Sequence, residues 1–140
     1  MAATNVLLID DEPLVLRSSA RMLTALGCHV LTAGSGREGT AIVKDRGGAV
    51  DLVIADLIMP DMDGIAAIEA IHCIKPSIPV ILASGYTREA DRLDAIKDRQ
   101  ATVRFLAKPY RTAELIDAAK ELLRVEEAPE SDNANAKVTP

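Results

Sequence analysis

With 140 residues, 49% hydrophobic and 26% charged, the chain is long enough for one domain with a true apolar core and ordinary in composition for a globular protein. A net charge of −5 with no basic stripe argues against direct nucleic-acid binding or adhesion to a membrane surface, and no apolar run is long enough to span a bilayer. The N-terminus MAATNVLLID enters an apolar run with no basic segment ahead of it, so no signal peptide is expected and the expected location is cytoplasmic.

In chain order, Val6 to Ile9 is an apolar run ending in Asp10, Asp11 and Glu12, and Pro13 sits where a first helical turn accepts a proline. Leu14, Ser18, Met22, Ala25 and Leu26 recur at helical spacing, with Gly27 as the expected stop. His29 to Thr32 predicts a second short strand. Ser35 suits the N-cap of a helix through Ala41, Ile42 and Val43 that Gly47-Gly48 ends. Leu52, Val53, Ile54 and Ala55 form the run of a strand buried on both faces, and Asp56 is where that run meets water. Met59-Pro60 forces an extended step, and Asp61 to Gly64 reads as a turn into the next helix.

Ile65, Ile68, Ile71, His72 and Ile74 predict a third helix, closed by Pro76 and Pro79. Val80 to Ala83 is a fourth strand ending in Ser84-Gly85, and Arg88 to Arg99 a charged helix with Ala90, Leu93 and Ile96 as its thin apolar side. Thr102 to Leu106 is a fifth strand ending near Lys108-Pro109, and Thr112 to Arg124 a last helix with Leu115, Ala118, Ala119 and Leu122 on one face. Beyond Arg124, VEEAPESDNANAKVTP lacks Leu, Ile and aromatic residues, so residues 1–124 are expected as one domain and 125–140 as a disordered acidic tail. Strands alternating with helices imply right-handed crossovers and helices on both faces of one parallel sheet, an α/β fold. Cys28 and Cys73 lack metal-ligand spacing and read as small buried hydrophobes, and His29 and His72 lack partners at ligand spacing.

In a parallel sheet all strand C-termini share one edge, so Asp10, Asp11, Asp56, Ser84 and Lys108 emerge on the same rim. Each has a bland reading alone: Asp56 a cap or turn former, Ser84 a turn residue, Lys108 a solvated lysine. Together they read as a site. Three crowded carboxylates repel, and a hard divalent cation relieves that; Mg²⁺ suits because it takes one or two carboxylates, keeps waters and bridges to phosphate oxygens. Lys108 and Ser84 can bind phosphoryl oxygens, which leaves Asp56 as the nucleophile of an aspartyl phosphate.

VLLIDDEP, DLVIADLIMPDMDG, PVILASGY and FLAKPY, in that order, resemble the landmarks of response regulator receiver domains of two-component signalling, over about residues 5 to 124. The resemblance implies a flavodoxin-like, doubly wound sheet of five parallel strands, order 2-1-3-4-5, with five helices. It places the phosphoacceptor on Asp56, the metal-binding acidic pair on Asp10 and Asp11, a further metal ligand on the backbone carbonyl of Ile58, the switch hydroxyl on Ser84, the lysine on Lys108 before a cis bond to Pro109, and the switch aromatic on Phe105. Phe105, Tyr86 and Tyr110 are the chain's only aromatics, and all fall near Ser84 or Lys108 in sequence, although Tyr110 reads as packing. Gly85 stands where many relatives carry Ala, a change that loosens the loop.

The implied partners are a sensor histidine kinase or histidine phosphotransfer protein and a downstream protein target, with the chain a monomer or weak dimer. It would catalyse only its own phosphorylation and slow autodephosphorylation. Slow, because Ile58 and Tyr86 flank the water's approach and neither is a good base. No output domain follows, so the output would be a protein contact or the chain a piece of a longer one; the LASGY style resembles receivers of hybrid histidine kinases. A hydrolase of the haloacid dehalogenase type would need an acid where Ile58 stands. A phosphotransfer protein carrying phosphate on His72 would be a helical bundle, which the strand runs contradict. The remaining alternative is a pseudo-receiver acting only as a protein-interaction scaffold.

Overall fold

The computed structural model describes residues 4–46, 49–57, 59, 62–85 and 102–123. Strands β1 (Asn5–Ile9), β2 (His29–Ala33), β3 (Leu52–Asp56), β4 (Val80–Ser84) and β5 (Val103–Ala107) form one sheet, all pairs parallel, in the order β2-β1-β3-β4-β5. The helices are α1 (Pro13–Ala25), α2 (Gly36–Arg46), α3 (Gly64–Ile74) and α4 (112–123). This is the expected flavodoxin-like α/β architecture. The helix expected over 88–99, the tail at 125–140, Gly47, Gly48, Pro60 and Asp61 lie outside the described residues. Among the described residues no helix is long and apolar enough to cross a membrane.

The sheet is buried on both faces, which is why its strands read as continuous apolar runs and not as alternating ones. Leu7, Ile9, Val53, Ala55, Val80, Leu82 and Val103 join Val43 of α2 and Ile68 and Ile71 of α3 in one core cluster. The intervening positions Val6, Leu8, Leu52, Ile54, Ile81 and Leu106 join Leu23 of α1 and Leu115, Ala119 and Leu122 of α4 in the other. Successive strand residues serve opposite faces, and each fully buried Leu or Ile contributes about 1.5–3 kcal/mol.

The helix ends follow local chemistry. Ser35 Oγ accepts the Glu38 N–H at 3.0 Å while Glu38 Oε1 accepts the Gly34 N–H at 2.7 Å, reciprocal bonds that satisfy donors at the start of α2. Asp63 caps α3 by accepting the Ala66 N–H at 2.8 Å. Gly27, at φ 93°, ends α1 with its N–H on the Thr24 carbonyl at 2.9 Å.

Two expectations need correction. The face of α1 that packs on the sheet is Leu16, Ala20 and Leu23, with Met22 and Leu26 beside it. Leu14 is 74% exposed and Ser18 and Ala25 are exposed, because the Leu14 register lies about 180° around the helix from Leu23, nine residues on. Cys28 is buried as expected, and burial pushes its thiol pKa up. Cys73 is exposed: Ile71 points into the core, and a residue two positions later lies about 200° around the helix.

Gly64 fixes how closely α3 approaches the end of β3. Its N–H donates to the Leu57 carbonyl at 2.7 Å, and a Cβ there would lie 2.6 Å from the Asp56 carbonyl oxygen and 2.8 Å from Leu57 Cα. Gly85 has room, since a Cβ would find Lys108 Cβ at 3.8 Å and the Lys108 carbonyl at 3.9 Å. In urea denaturation, Gly64→Ala is therefore expected to lose about 1–3 kcal/mol by overpacking. Gly85→Ala is expected to be neutral or to gain about 0.4–1 kcal/mol through the unfolded chain. Equal effects of the two would contradict this packing.

Candidate functional site

The C-terminal ends of β1, β3, β4 and β5 open into one cleft of about 910 Å³, bordered by Asp11, Asp56, Ser84, Gly85 and Lys108 and walled by α1 and the Pro109-Tyr110 segment. This is where an open α/β sheet offers a binding crevice.

Asp10 follows β1 and is buried, 6% exposed. Both of its oxygens are engaged: Oδ1 accepts the Glu12 N–H at 3.0 Å, and Oδ2 accepts from Lys108 Nζ at 2.9 Å. Asp11 is exposed and Asp56 half-buried at the end of β3. Asp10, Asp11 and Asp56 each bring a carboxylate oxygen within 4.8 Å of the others. Like charges at that separation repel by about 3 kcal/mol per pair at an effective dielectric near 20. The donor set is all hard oxygen, open on one side through Asp11 and Asp56, and so fits Mg²⁺ with its retained waters.

Lys108 is the counter-charge. Its Nζ lies 3.7 Å from Asp56 Oδ2, farther than from Asp10. Burial alone would lower the ammonium pKa, but the hydrogen bond it donates to Asp10 and the negative charges of Asp10 and Asp56 outweigh it and hold the group above its ordinary 10.5. The Lys108 main-chain N–H donates to the Ser84 carbonyl at 2.9 Å, and the Lys108-Pro109 peptide is cis.

Ser84 closes β4 and is buried, 4% exposed. Phe105 pairs in register with Leu82 and is half-buried against the α2-α3 core, not in the cleft. Tyr110 packs against the α1-α4 core and also borders the cleft. Ile58 and Tyr86 lie outside the described residues. His29 is exposed, and His72 Nε2 lies 3.0 Å from the Ile78 carbonyl, a packing role remote from the cleft. The α1 wall, with Val15, Ser18, Ser19 and Met22 in the cleft lining, escaped the sequence reading. The signal available for it was a serine pair at positions 18 and 19 in a helix otherwise turned to a core.

A family model described as the response regulator receiver domain matches residues 6–120. The sensor kinase CckA of Brucella abortus is 36% identical over 121 residues; the match covers 86% of the chain and spans 13% of that kinase's length. The crystal structure of a receiver domain protein from Clostridium thermocellum superposes with TM-score 0.79 at 29% identity, covering 89% of the chain and 98% of that structure. The receiver domain of the hybrid histidine kinase CckA superposes with TM-score 0.71 at 32% identity, covering 85% and 98%.

The ion pair makes a pH prediction. A lysine whose folded pKa exceeds its unfolded value contributes stability that is complete below the unfolded pKa and is lost as pH rises through the folded one. Lys108→Met is expected to lower metal-free stability at pH 7 by about 1.5–3 kcal/mol. The gap to wild type should persist to pH 9 and narrow above the ordinary lysine value of 10.5. Urea denaturation of both proteins across that range checks it, and a gap that closes between pH 5 and 8 would point to a different titrating group.

Proposed function

The chain belongs to the response regulator receiver domain family of two-component systems, and from that premise we propose that Asp56 is its phosphoacceptor. The donor is the phosphohistidine of a sensor histidine kinase or histidine phosphotransfer protein, and the phosphorylated chain engages a downstream protein target. The observation that carries this reading is the gathering of Asp10, Asp11 and Asp56 at one cleft, with the Lys108 ammonium against Asp10 and near Asp56.

Of the three carboxylates, Asp56 suits the nucleophile best. Asp10 is buried with both oxygens engaged, and Asp11 sits outermost. An Asp56 oxygen attacks phosphorus in line with the donor nitrogen; the O–P bond forms as the P–N bond breaks, and the departing imidazole nitrogen keeps the bonding pair, the ring being left neutral by a proton it already carries on its other nitrogen or takes from solvent. Lys108, already within 3.7 Å of Asp56, needs only a small shift from Asp10 to meet a phosphoryl oxygen. The Ser84 hydroxyl donates to another. Asp10, Asp11 and Asp56, with the Ile58 carbonyl that the family resemblance implies, would hold Mg²⁺, which would supply charge neutralisation for the phosphoryl group. The chain's chemistry is limited to its own phosphorylation and slow dephosphorylation, in the cytoplasm, as a monomer or weak dimer.

Intact mass after incubation with acetyl phosphate and Mg²⁺ is expected to show one phosphoryl addition on the wild type and none on Asp56→Asn. A wild type that stays unmodified, and that beryllofluoride with Mg²⁺ leaves unchanged, would favour the scaffold-only pseudo-receiver.

For the switch, phosphate draws Ser84 toward it and Phe105 follows inward, a choice between two discrete packings. Ser84→Ala is expected to take phosphate yet to show smaller beryllofluoride-induced amide shifts around Phe105. Identical shifts in the two proteins would remove Ser84 from the mechanism.

A further inference from the structure

Behind the carboxylates the cleft narrows into a recess of about 20 Å³ between α1 and the sheet. Its walls are apolar apart from Asp10, Asp56, Lys108, Tyr110 and one residue of α1, Ser19, which borders both the recess and the open cleft. Ser19 lies between Leu16 and Leu23 on the side of α1 that packs against the sheet, where its neighbours facing the core are apolar. A hydroxyl there adds no packing over a methyl group and costs free energy if left dry. Serine and threonine in helices often satisfy themselves on the carbonyl four residues back, as Thr40 does on Gly36 at 2.8 Å. Among the described residues no protein group bonds the Ser19 hydroxyl in that or any other way.

Lys108 offers the complementary group. Its ammonium carries three donors. One reaches Asp10 at 2.9 Å, while Asp56 at 3.7 Å is beyond direct hydrogen-bond reach. A water needs at least about 10–15 Å³ of probe-occupied space and two to four polar partners, and a polar recess of this size meets both conditions. We propose that the recess is a water site, in which one water bridges the Ser19 hydroxyl to the Lys108 ammonium and makes Ser19 a positioning residue for that lysine. The water fixes the ammonium from the α1 side, and Asp10 fixes it from the β1 side. One N–H remains directed at Asp56 and at any phosphoryl group carried there. The recess itself is independent of the phosphoacceptor reading; only its consequence for phosphorylation rests on it.

The test uses metal-free protein with isotope-labelled lysine and follows the Lys108 ammonium by NMR, assigned by its loss in Lys108→Arg. In the wild type its protons should exchange slowly with solvent and show a cross-peak to a long-lived water. Ser19→Ala should lose that cross-peak and exchange about three- to tenfold faster, the size of effect expected for one bridging water. Ser19→Val, which fills the recess with methyl groups, should match Ala, and Ser19→Thr, which keeps the hydroxyl, should restore the wild-type signature. In parallel, Ser19→Ala should slow phosphorylation by acetyl phosphate about three- to tenfold while the half-saturating Mg²⁺ concentration stays unchanged, with Thr again restoring the rate. Equal Lys108 exchange in wild type and Ser19→Ala, or failure of Thr to restore it, overturns the proposal. A wild type that takes no phosphoryl group defeats the phosphoacceptor reading instead, and the exchange measurement still decides the water site.

Discussion

Among the described residues, three carboxylates held within reach of one another, with the Lys108 ammonium against two of them, set the terms for the rest of this molecule. The cluster is unfavourable in isolation, so the fold must supply both the force that holds the acids together and the charge that offsets them. The force is the two-sided core under the sheet. The charge arrives from 98 residues away in sequence, on the far side of β3 and β4 from Asp10. Strands lie about 4.8 Å apart, so β1 and β5 are separated by about 14 Å of sheet. Only a long side chain leaving the end of β5 can close that distance, and Lys108 does so with its apolar stem over the sheet edge and its head on Asp10.

Much of this was legible in the sequence because a parallel sheet converts strand order into geometry. Once the apolar runs ending at Ile9, Ala55, Ala83 and Leu106 are read as parallel strands, the polar residues that follow them must share one rim. A finer regularity was also available. Strand residues alternate faces, and Asp10, Asp56 and Lys108 continue the alternation of Val6-Leu8, Leu52-Ile54 and Leu106, the positions that pack toward α1 and α4. That common parity is why the three meet on the α1 side of the rim. Ser84 continues Val80-Leu82, whose side faces α2 and α3, so it approaches the cleft from a different direction.

The sequence was less informative about helices. A helical repeat read from hydrophobicity alone picks a face by counting apolar residues, and in α1 apolar side chains occur almost all the way round. Leu14 joined the expected stripe and proved 74% exposed, whereas Leu23 went unnoticed and is fully buried. Propensity cannot distinguish such faces; docking against Val6, Leu8 and Leu52 does. The same ambiguity hid Ser19, whose significance depends on what lies across the gap from it, and Cys73, whose exposure depends on α3's rotation about its own axis.

The main-chain bonds show how an event at the rim can reach the far edge of the sheet. The Lys108 N–H rests on the Ser84 carbonyl, so the backbone that carries the ammonium and the backbone that carries the hydroxyl are one mechanical unit. β4 and β5 remain paired up to that point, with Leu82 opposite Phe105 and Ser84 opposite Ala107. In the proposed switch, a pull on Ser84 would act on the Lys108 bond, and the half-buried Phe105 would respond where Val103, fully buried in the core, would not. Arg104, between these two and on the opposite face, is tied to Glu121 of α4 by an ion pair. Partial exposure on both sides makes that tie weak and easily re-formed. β5 is thus an edge strand, paired on one side only, and it is bonded to the cluster through Lys108.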